Sequence, residues 1–238
     1  MTVSGDGLIH EVVNALLQRD DWNAFKDTIT IGCIPGGTGN GLVKSLLSHT
    51  NDRYSVLDAA FKVAKGRRIF MDLTELDCEY EKKKLYSFLS VAWAIIADVD
   101  INSEAIRCCG PPRFTVWGAW RTLFKRHYPG TLKYNGRVIQ NRNEVSLNKN
   151  MPAEEESKVP LLNLSRKEVN NQDFMHFMAV NTPFIASDFE MCPLSKINDG
   201  QNDIVMITFR NGGTCRLARY LIDMEKGDYF NQDGSVRR

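Results

Sequence analysis

Two glycine-rich junctions, Ser4-Gly5-Asp6-Gly7 and Pro35-Gly36-Gly37-Thr38-Gly39-Asn40-Gly41, each lead straight into an amphipathic stretch, and few folds accommodate that arrangement. Leu8, Ile9, Val12, Val13, Leu16 and Leu17 recur at helical spacing, so residues 7 to 18 form a helix with one apolar face. Thr28 to Ile34 is short, β-branched and apolar, a strand that breaks into the second junction ahead of Leu42, Val43, Leu46 and Leu47. A strand must likewise precede the first junction. A further helix over 55 to 65 puts Val56, Ala59, Ala60 and Val63 on one face and stops at Gly66. Alternating strands and helices build an α/β unit with a largely parallel sheet.

The pattern changes after Gly66. Arg68 to Tyr80 and Leu85 to Ala97 read as strands joined by Glu81-Lys82-Lys83-Lys84. Phe114, Trp117, Trp120 and Phe124 follow a helical period and are read as the core of the second half in preference to a lipid contact, although an acyl chain would need an apolar place. Thr131 to Val138 reads as a hairpin turning at Asn135-Gly136. Residues 149 to 172 carry Glu154-Glu155-Glu156 without a sustained period and are expected to form a mobile insertion. Phe174 to Val180 and Asp203 to Phe209 return to strand character, and Arg216 to Lys226 is a helix closed by Gly227. The expected fold is α/β plus β-rich, with an α/β part over residues 1–66 and a β-rich part over 67–238.

An apolar share of 43% over 238 residues supplies a buried core. Lys and Arg number 30 against 29 Asp and Glu, a net charge of +1, so no global field draws the chain to nucleic acid. No apolar run approaches the ~18 residues of a membrane span, and the N-terminus lacks the pattern of a signal peptide. Cys33, Cys78, Cys108, Cys109, Cys192 and Cys215 show no CxxC pairing, which reads as buried free thiols of a reducing compartment. His10, His49, His127 and His176 are isolated from one another and from any cysteine pair, so no zinc set is formed. Arg121, Lys125, Arg126, His127 and Lys133 are either a solvated face or a rest for an anionic membrane, at about 1 kcal/mol per basic residue near the lipid.

Chemistry concentrates at the junctions. Asp6, between two glycines where a strand enters a helix, lies at the carboxyl edge of the sheet, the ligand side of open α/β sheets. Pro35 to Gly41 is either a tight turn or a loop whose small residues admit an anion to the N–H groups of a helix N-terminus, phosphate being the natural anion. It lacks a Walker lysine, so compensating charge must come from a metal ion or from arginines elsewhere.

The block Ser4-Gly5-Asp6-Gly7-Leu8-Ile9-His10-Glu11-Val12-Val13-Asn14, together with Pro35-Gly36-Gly37-Thr38-Gly39-Asn40, resembles the signature blocks of the sphingosine kinases within the diacylglycerol kinase-like lipid kinases. Ser90-Val91-Ala92-Trp93, leading through Ala97-Asp98-Val99-Asp100 to Ser103-Glu104, Arg107 and Arg113-Phe114, agrees with that resemblance, as does Met224-Glu225-Lys226-Gly227 more weakly. The resemblance implies a partial nucleotide-binding α/β domain over 1–66, followed by a β-sandwich-like lipid-binding domain over 67–238. It implies phosphorylation of the primary hydroxyl of sphingosine or sphinganine, with ATP and Mg2+ as cofactors. Asp6 is then the catalytic base, and Ser4, Gly5, Asp6, Gly7 and Asp100 bind the substrate. Glu11, Gly37, Thr38, Gly39, Arg107 and Arg113 bind ATP, and no residue is assigned as a metal ligand.

Asp100 suits a sphingoid base, because that headgroup carries an ammonium that diacylglycerol lacks. The same resemblance implies a cytoplasmic protein that meets membranes reversibly and peripherally. It also implies an earlier glycine-rich nucleotide loop and a later Asp-Gly-Glu element, so the chain is expected to be truncated at both ends; Asp233-Gly234-Ser235 is not assigned to the latter. The alternatives are a ceramide or diacylglycerol kinase, and a non-catalytic truncated lipid-binding or regulatory protein.

Overall fold

The computed structural model describes residues 1–80, 82–110, 112–124, 126–135 and 166–208, apart from the side chains of Lys83, Arg107, Arg166 and Lys167. The chain divides into two units, Met1–Ser90 with Asn181–Gln201, and Val91–Val180 with Asn202–Arg238. The fold mixes helices with parallel and antiparallel strands.

In the first unit, β1 (Thr2–Ser4) runs parallel to β2 (Cys33–Pro35), with Thr2 opposite Cys33 and Ser4 opposite Pro35. The register puts the two glycine junctions side by side at the carboxyl ends of both strands. Helix α1 (Asp6–Leu17) follows β1, and α3 (Gly41–His49) follows β2, with the short α2 (Trp22–Phe25) between. Of the expected 28–34 strand only Cys33 and Ile34 fall in β2, which runs on to Pro35; Thr28 and Ile29 instead donate their backbone N–H groups to the Phe25 carbonyl, extending the turn after α2.

Helix α4 (Val56–Lys65) starts at Ser55, whose Oγ accepts the Asp58 N–H at 3.0 Å, and stops at Gly66 in the left-handed region at φ 66°. Ile9 and Val13 of α1, Leu42, Val43 and Leu47 of α3, Ala59 of α4, Cys33 and Phe88 form the core of this unit. Each buried aliphatic side chain contributes about 1.5–3 kcal/mol.

A hairpin of β3 (Thr74–Cys78) and β4 (Lys83–Ser87) is tied to α1 by Asn14. Its side-chain amide imitates a strand, Nδ2 donating to the Tyr86 carbonyl at 2.8 Å and Oδ1 accepting the Tyr86 N–H at 2.9 Å. The returning segment contributes a second hairpin, β8 (Phe184–Ala186) with β9 (Phe189–Glu190). Asn181 anchors it, donating from Nδ2 to the carbonyls of Asp72 and Phe88.

In the second unit, β7 (Arg166–Val180) pairs with β10 (Asp203–Thr208), β6 (Pro129–Asn135) and β5 (Ser90–Ala94) in a four-stranded sheet. Three expectations change. The strand expected to reach Ala97 ends at Ala94, whose φ of 69° turns the chain into α5 (Ile95–Ser103). The strand entering the expected hairpin at Asn135-Gly136 pairs instead with β7, Asn135 opposite Arg166. Residues 166–172 of the expected insertion form the first half of β7, while 149–165 and the helix expected over 216–226 lie outside the described residues.

A kinked 3-10 turn (Glu104–Cys109) leads to α6 (Pro112–Leu123). This helix does not bury its aromatic period: Phe114, Trp120 and Phe124 are exposed, and Thr122 is its buried residue. The core of the unit is instead Ala94, Tyr134, Phe174 and Met206, with Ile95 and Met175 beside them. The cysteine expectation also divides, Cys33 and Cys192 being buried while Cys78, Cys108 and Cys109 are exposed. No helix among the described residues is long and apolar enough to cross a membrane.

Candidate active site

The parallel pairing of β1 and β2 presses one glycine junction onto the other. A Cβ added to Gly37 would lie 2.4 Å from the Gly5 Cα and 2.8 Å from its nitrogen, so only glycine allows the two backbones to meet there. Gly36 is less tightly enclosed, with Ser4 N 3.1 Å from the same added atom. Gly7 is different, because a Cβ there would meet nothing within 4 Å.

Asp6 occupies the first turn of α1 and reaches across to the start of α3. Its Oδ2 accepts the Gly41 N–H at 2.8 Å and its Oδ1 the Leu42 N–H at 3.1 Å. The carboxylate therefore sits at two helix N-termini, both of which favour negative charge. An ionised carboxylate offers about four lone-pair directions, and two are engaged here, which leaves capacity to accept a hydroxyl proton.

These bonds define which N–H groups of the second junction are already engaged. The N–H groups of Gly41 and Leu42, the ones a helix N-terminus would offer to phosphate, are held by Asp6. The Gly36 N–H donates to the Ser4 carbonyl at 3.0 Å, and the Gly37 N–H to Asn40 Oδ1 at 2.9 Å. Among the described residues no hydrogen bond is made by the N–H groups of Thr38 and Gly39 or by the exposed Thr38 hydroxyl, which fits a phosphate approaching from solvent.

Asn40 is the residue that sequence reasoning passed over. Its φ of 56° turns the loop into α3, and its amide closes a ring on Gly37, Nδ2 donating to the Gly37 carbonyl. An Asn directly before a helical run, after Thr38-Gly39, is a recognisable signal for that left-handed position.

The structure thus brings Ser4, Gly5, Asp6, Gly37, Thr38 and Gly39 to one edge of the first unit, with Glu11 exposed on α1. Asp100, Arg107 and Arg113 belong to the second unit. Arg107 lies in the 3-10 turn, and its side chain is outside the described residues. Arg113 Nη1 is 2.6 Å from Glu104 Oε1. Partial desolvation raises the Asp100 carboxyl above the usual range; Arg113 opposes that shift and Glu104 adds to it.

Asp98, two residues earlier, is the buried carboxylate of α5. It accepts from Tyr128 Oη at 2.5 Å and from Asn102 Nδ2, and it pairs with Arg121 Nε at 2.9 Å and more distantly with Arg126. Burial, followed by the hydrogen bond to Asp98, raises the Tyr128 hydroxyl. The basic stretch is thereby split, since Arg121 faces inward to Asp98 while Arg126 stays exposed. Among the described residues no three His, Cys, Asp or Glu side chains group together.

Residues 1–76 match the diacylglycerol kinase catalytic domain. Over 216 residues, 86% of this chain and 44% of the relative, the sequence is 32% identical to sphingosine kinase 1 of Arabidopsis thaliana. It is 30% identical to mouse sphingosine kinase 1 over 244 residues, covering 97% of this chain and 62% of that protein. It is 32% identical to sphingoid long chain base kinase 4 of Schizosaccharomyces pombe over 243 residues, 97% of this chain and 50% of the relative. The chain therefore spans between 44% and 62% of the length of these relatives.

Proposed function

We propose, from the match of residues 1–76 to the diacylglycerol kinase catalytic domain and the similarity to sphingosine kinases along most of the chain, that this protein is a diacylglycerol kinase-like lipid kinase that phosphorylates the primary hydroxyl of a sphingoid base. The observation that carries the reading is the Asp6 carboxylate, held by two backbone N–H groups beside the Gly37-Thr38-Gly39 loop, whose Gly37 and Thr38 are exposed. When bound, ATP with Mg2+ supplies the transferable phosphoryl group and part of the charge neutralisation.

Asp6 accepts the proton of the attacking hydroxyl. Ser4, Gly5 and Gly7 line the headgroup, the open space over Gly7 being room for it. Thr38 and Gly39 donate to phosphate oxygens, with Gly37 and Glu11 alongside. Phosphoryl transfer needs positioning and charge stabilisation more than covalent help, so a fixed base and a donor-bearing loop suit it. Arg107 and Arg113 meet the nucleotide phosphates, and Asp100 receives the ammonium of the sphingoid head. In this reading residues 1–66 serve the nucleotide and 67–238 form a β-sandwich-like receiver for the lipid. The protein is cytoplasmic and visits the membrane peripherally.

A lipid panel with purified protein tests the substrate. Sphingosine and sphinganine are expected to be phosphorylated, with diacylglycerol and ceramide at least tenfold slower. Equal turnover of diacylglycerol defeats the role given to Asp100, and no ATP binding by calorimetry defeats the kinase reading altogether.

A further inference from the structure

The carboxylate of Asp6 is only as well placed as the first turn of α3, and that turn is held by a strand more than 130 residues away in sequence. Ser45, on the second turn of α3, is fully buried. Its Oγ lies 3.3 Å from the Phe184 carbonyl, to which it donates, and accepts the Phe184 N–H at 3.1 Å. One hydroxyl thereby engages both backbone groups of the first residue of β8, whose carbonyl also accepts from Thr182 Oγ1 at 3.0 Å.

The grip continues along that strand. Ala186 forms a bridge with Asn40, and the Ser187 N–H donates to the Gly39 carbonyl at 2.7 Å. Between these contacts the backbones touch, since a Cβ added to Gly41 would lie 2.6 Å from the carbonyl carbon and oxygen of Ile185. On the outer side Lys44 Nζ stands 4.9 Å from the centre of the Phe184 ring. Residues 39 to 45 are thus fixed by β8 on one side and by Asp6 on the other.

We infer that Ser45, through its pair of hydrogen bonds to Phe184, is a positioning residue for Asp6: it sets the first turn of α3, whose Gly41 and Leu42 N–H groups in turn set the carboxylate. Ser45 is buried, and its side-chain hydrogen bonds run to Phe184 and not to the loop tip. It acts through the backbone of α3 and not on a ligand. The catalytic consequence rests on the reading of Asp6 as base, while the structural consequence does not.

Two readouts separate those parts. Hydrogen exchange at the Gly41 and Leu42 amides needs no activity. Ser45→Ala is expected to speed both by about tenfold, the effect of losing roughly one buried hydrogen-bond pair, with amides of the β3–β4 hairpin unchanged. Ser187→Pro, which removes the N–H that bonds Gly39 and restricts the backbone at the neighbouring Ala186 bridge, should act in the same direction and serves if Ser45→Ala does not fold. In turnover, Ser45→Ala should lower kcat about tenfold with KM for ATP and for sphingosine within twofold, and add nothing to the loss already caused by Asp6→Asn. Unchanged exchange at Gly41 and Leu42 overturns the inference, as does an additive double variant. A wild-type protein without turnover overturns the kinase reading, and the exchange comparison still decides the role of Ser45.

Discussion

Two glycines, Gly37 and Gly7, lie in the two junctions of the same site and should fail in opposite ways when replaced by alanine. At Gly37 the new Cβ would stand 2.4 Å from the Gly5 Cα, against an ordinary carbon–carbon contact of about 3.5–4.0 Å. The obstacle is backbone on both sides, so relief means separating β1 from β2 at their carboxyl ends by about 1 Å. Overpacking of this kind costs roughly 1–3 kcal/mol, and in a chain of 238 residues that lowers the melting temperature by roughly 2–12 °C. At Gly7 the added methyl meets nothing within 4 Å and sits early in α1, so Gly7→Ala should gain up to about 1 kcal/mol of helix stability. If the open space receives the lipid headgroup, the stabilised variant nonetheless loses turnover. Thermal melts and transfer of radiolabelled phosphate, measured on both variants, form the assay. A Gly37→Ala protein that melts with the wild type refutes the packing argument, and a Gly7→Ala protein with full turnover refutes the space assigned to the headgroup.

Three further variants follow from the buried polar groups. Asp98→Ala leaves Arg121, largely buried, without its carboxylate, and is expected to cost about 3–5 kcal/mol by chemical denaturation, with Asp98→Asn retaining the Tyr128 and Asn102 geometry better. Asn14→Ala strands the N–H and carbonyl of Tyr86, and should lower stability by about 1–3 kcal/mol while accelerating exchange of the Tyr86 amide. His176 is fully buried and its pKa is pushed down from 6.5 to about 3 by desolvation. Above pH 6.5 both folded and unfolded imidazole are neutral. As pH falls from there toward 3, only the unfolded chain gains the proton, and stability is lost by about 1.4 kcal/mol per pH unit. Denaturation from pH 7 to 5 should show a loss of about 2 kcal/mol that His176→Gln lacks; equal slopes in the two proteins contradict the assignment.

Much of the first unit is legible locally. Helices α1, α3 and α4 follow from apolar period, and the ends of α4 from Ser55 and Gly66, because caps and faces are properties of neighbouring residues. The junctions themselves are visible as glycine and Asp6. What they do to one another is not: the bonds from Gly41 and Leu42 to Asp6 cross 35 and 36 residues, and no periodicity announces them. The helix α5 was hidden because Ile95 and Ile96 continue the β-branched run of β5, and only the positive φ of Ala94 breaks it. The aromatic residues of α6 look like core by size, yet packing against α5 and the 3-10 turn leaves Phe114, Trp120 and Phe124 outside. The return of residues 181–201 to the first unit rests on Asn181 and on the β8 contacts, long-range bonds made by residue types common in any loop.

The most direct test of the account is the rate at which purified protein transfers phosphate from radiolabelled ATP to sphingosine, compared between wild type and Asp6→Asn. The wild type is expected to form phosphorylated sphingosine, and the variant to lose at least about 100-fold in kcat, within the range a general base contributes, with a folded structure retained by circular dichroism. An Asp6→Asn protein that keeps wild-type turnover contradicts it.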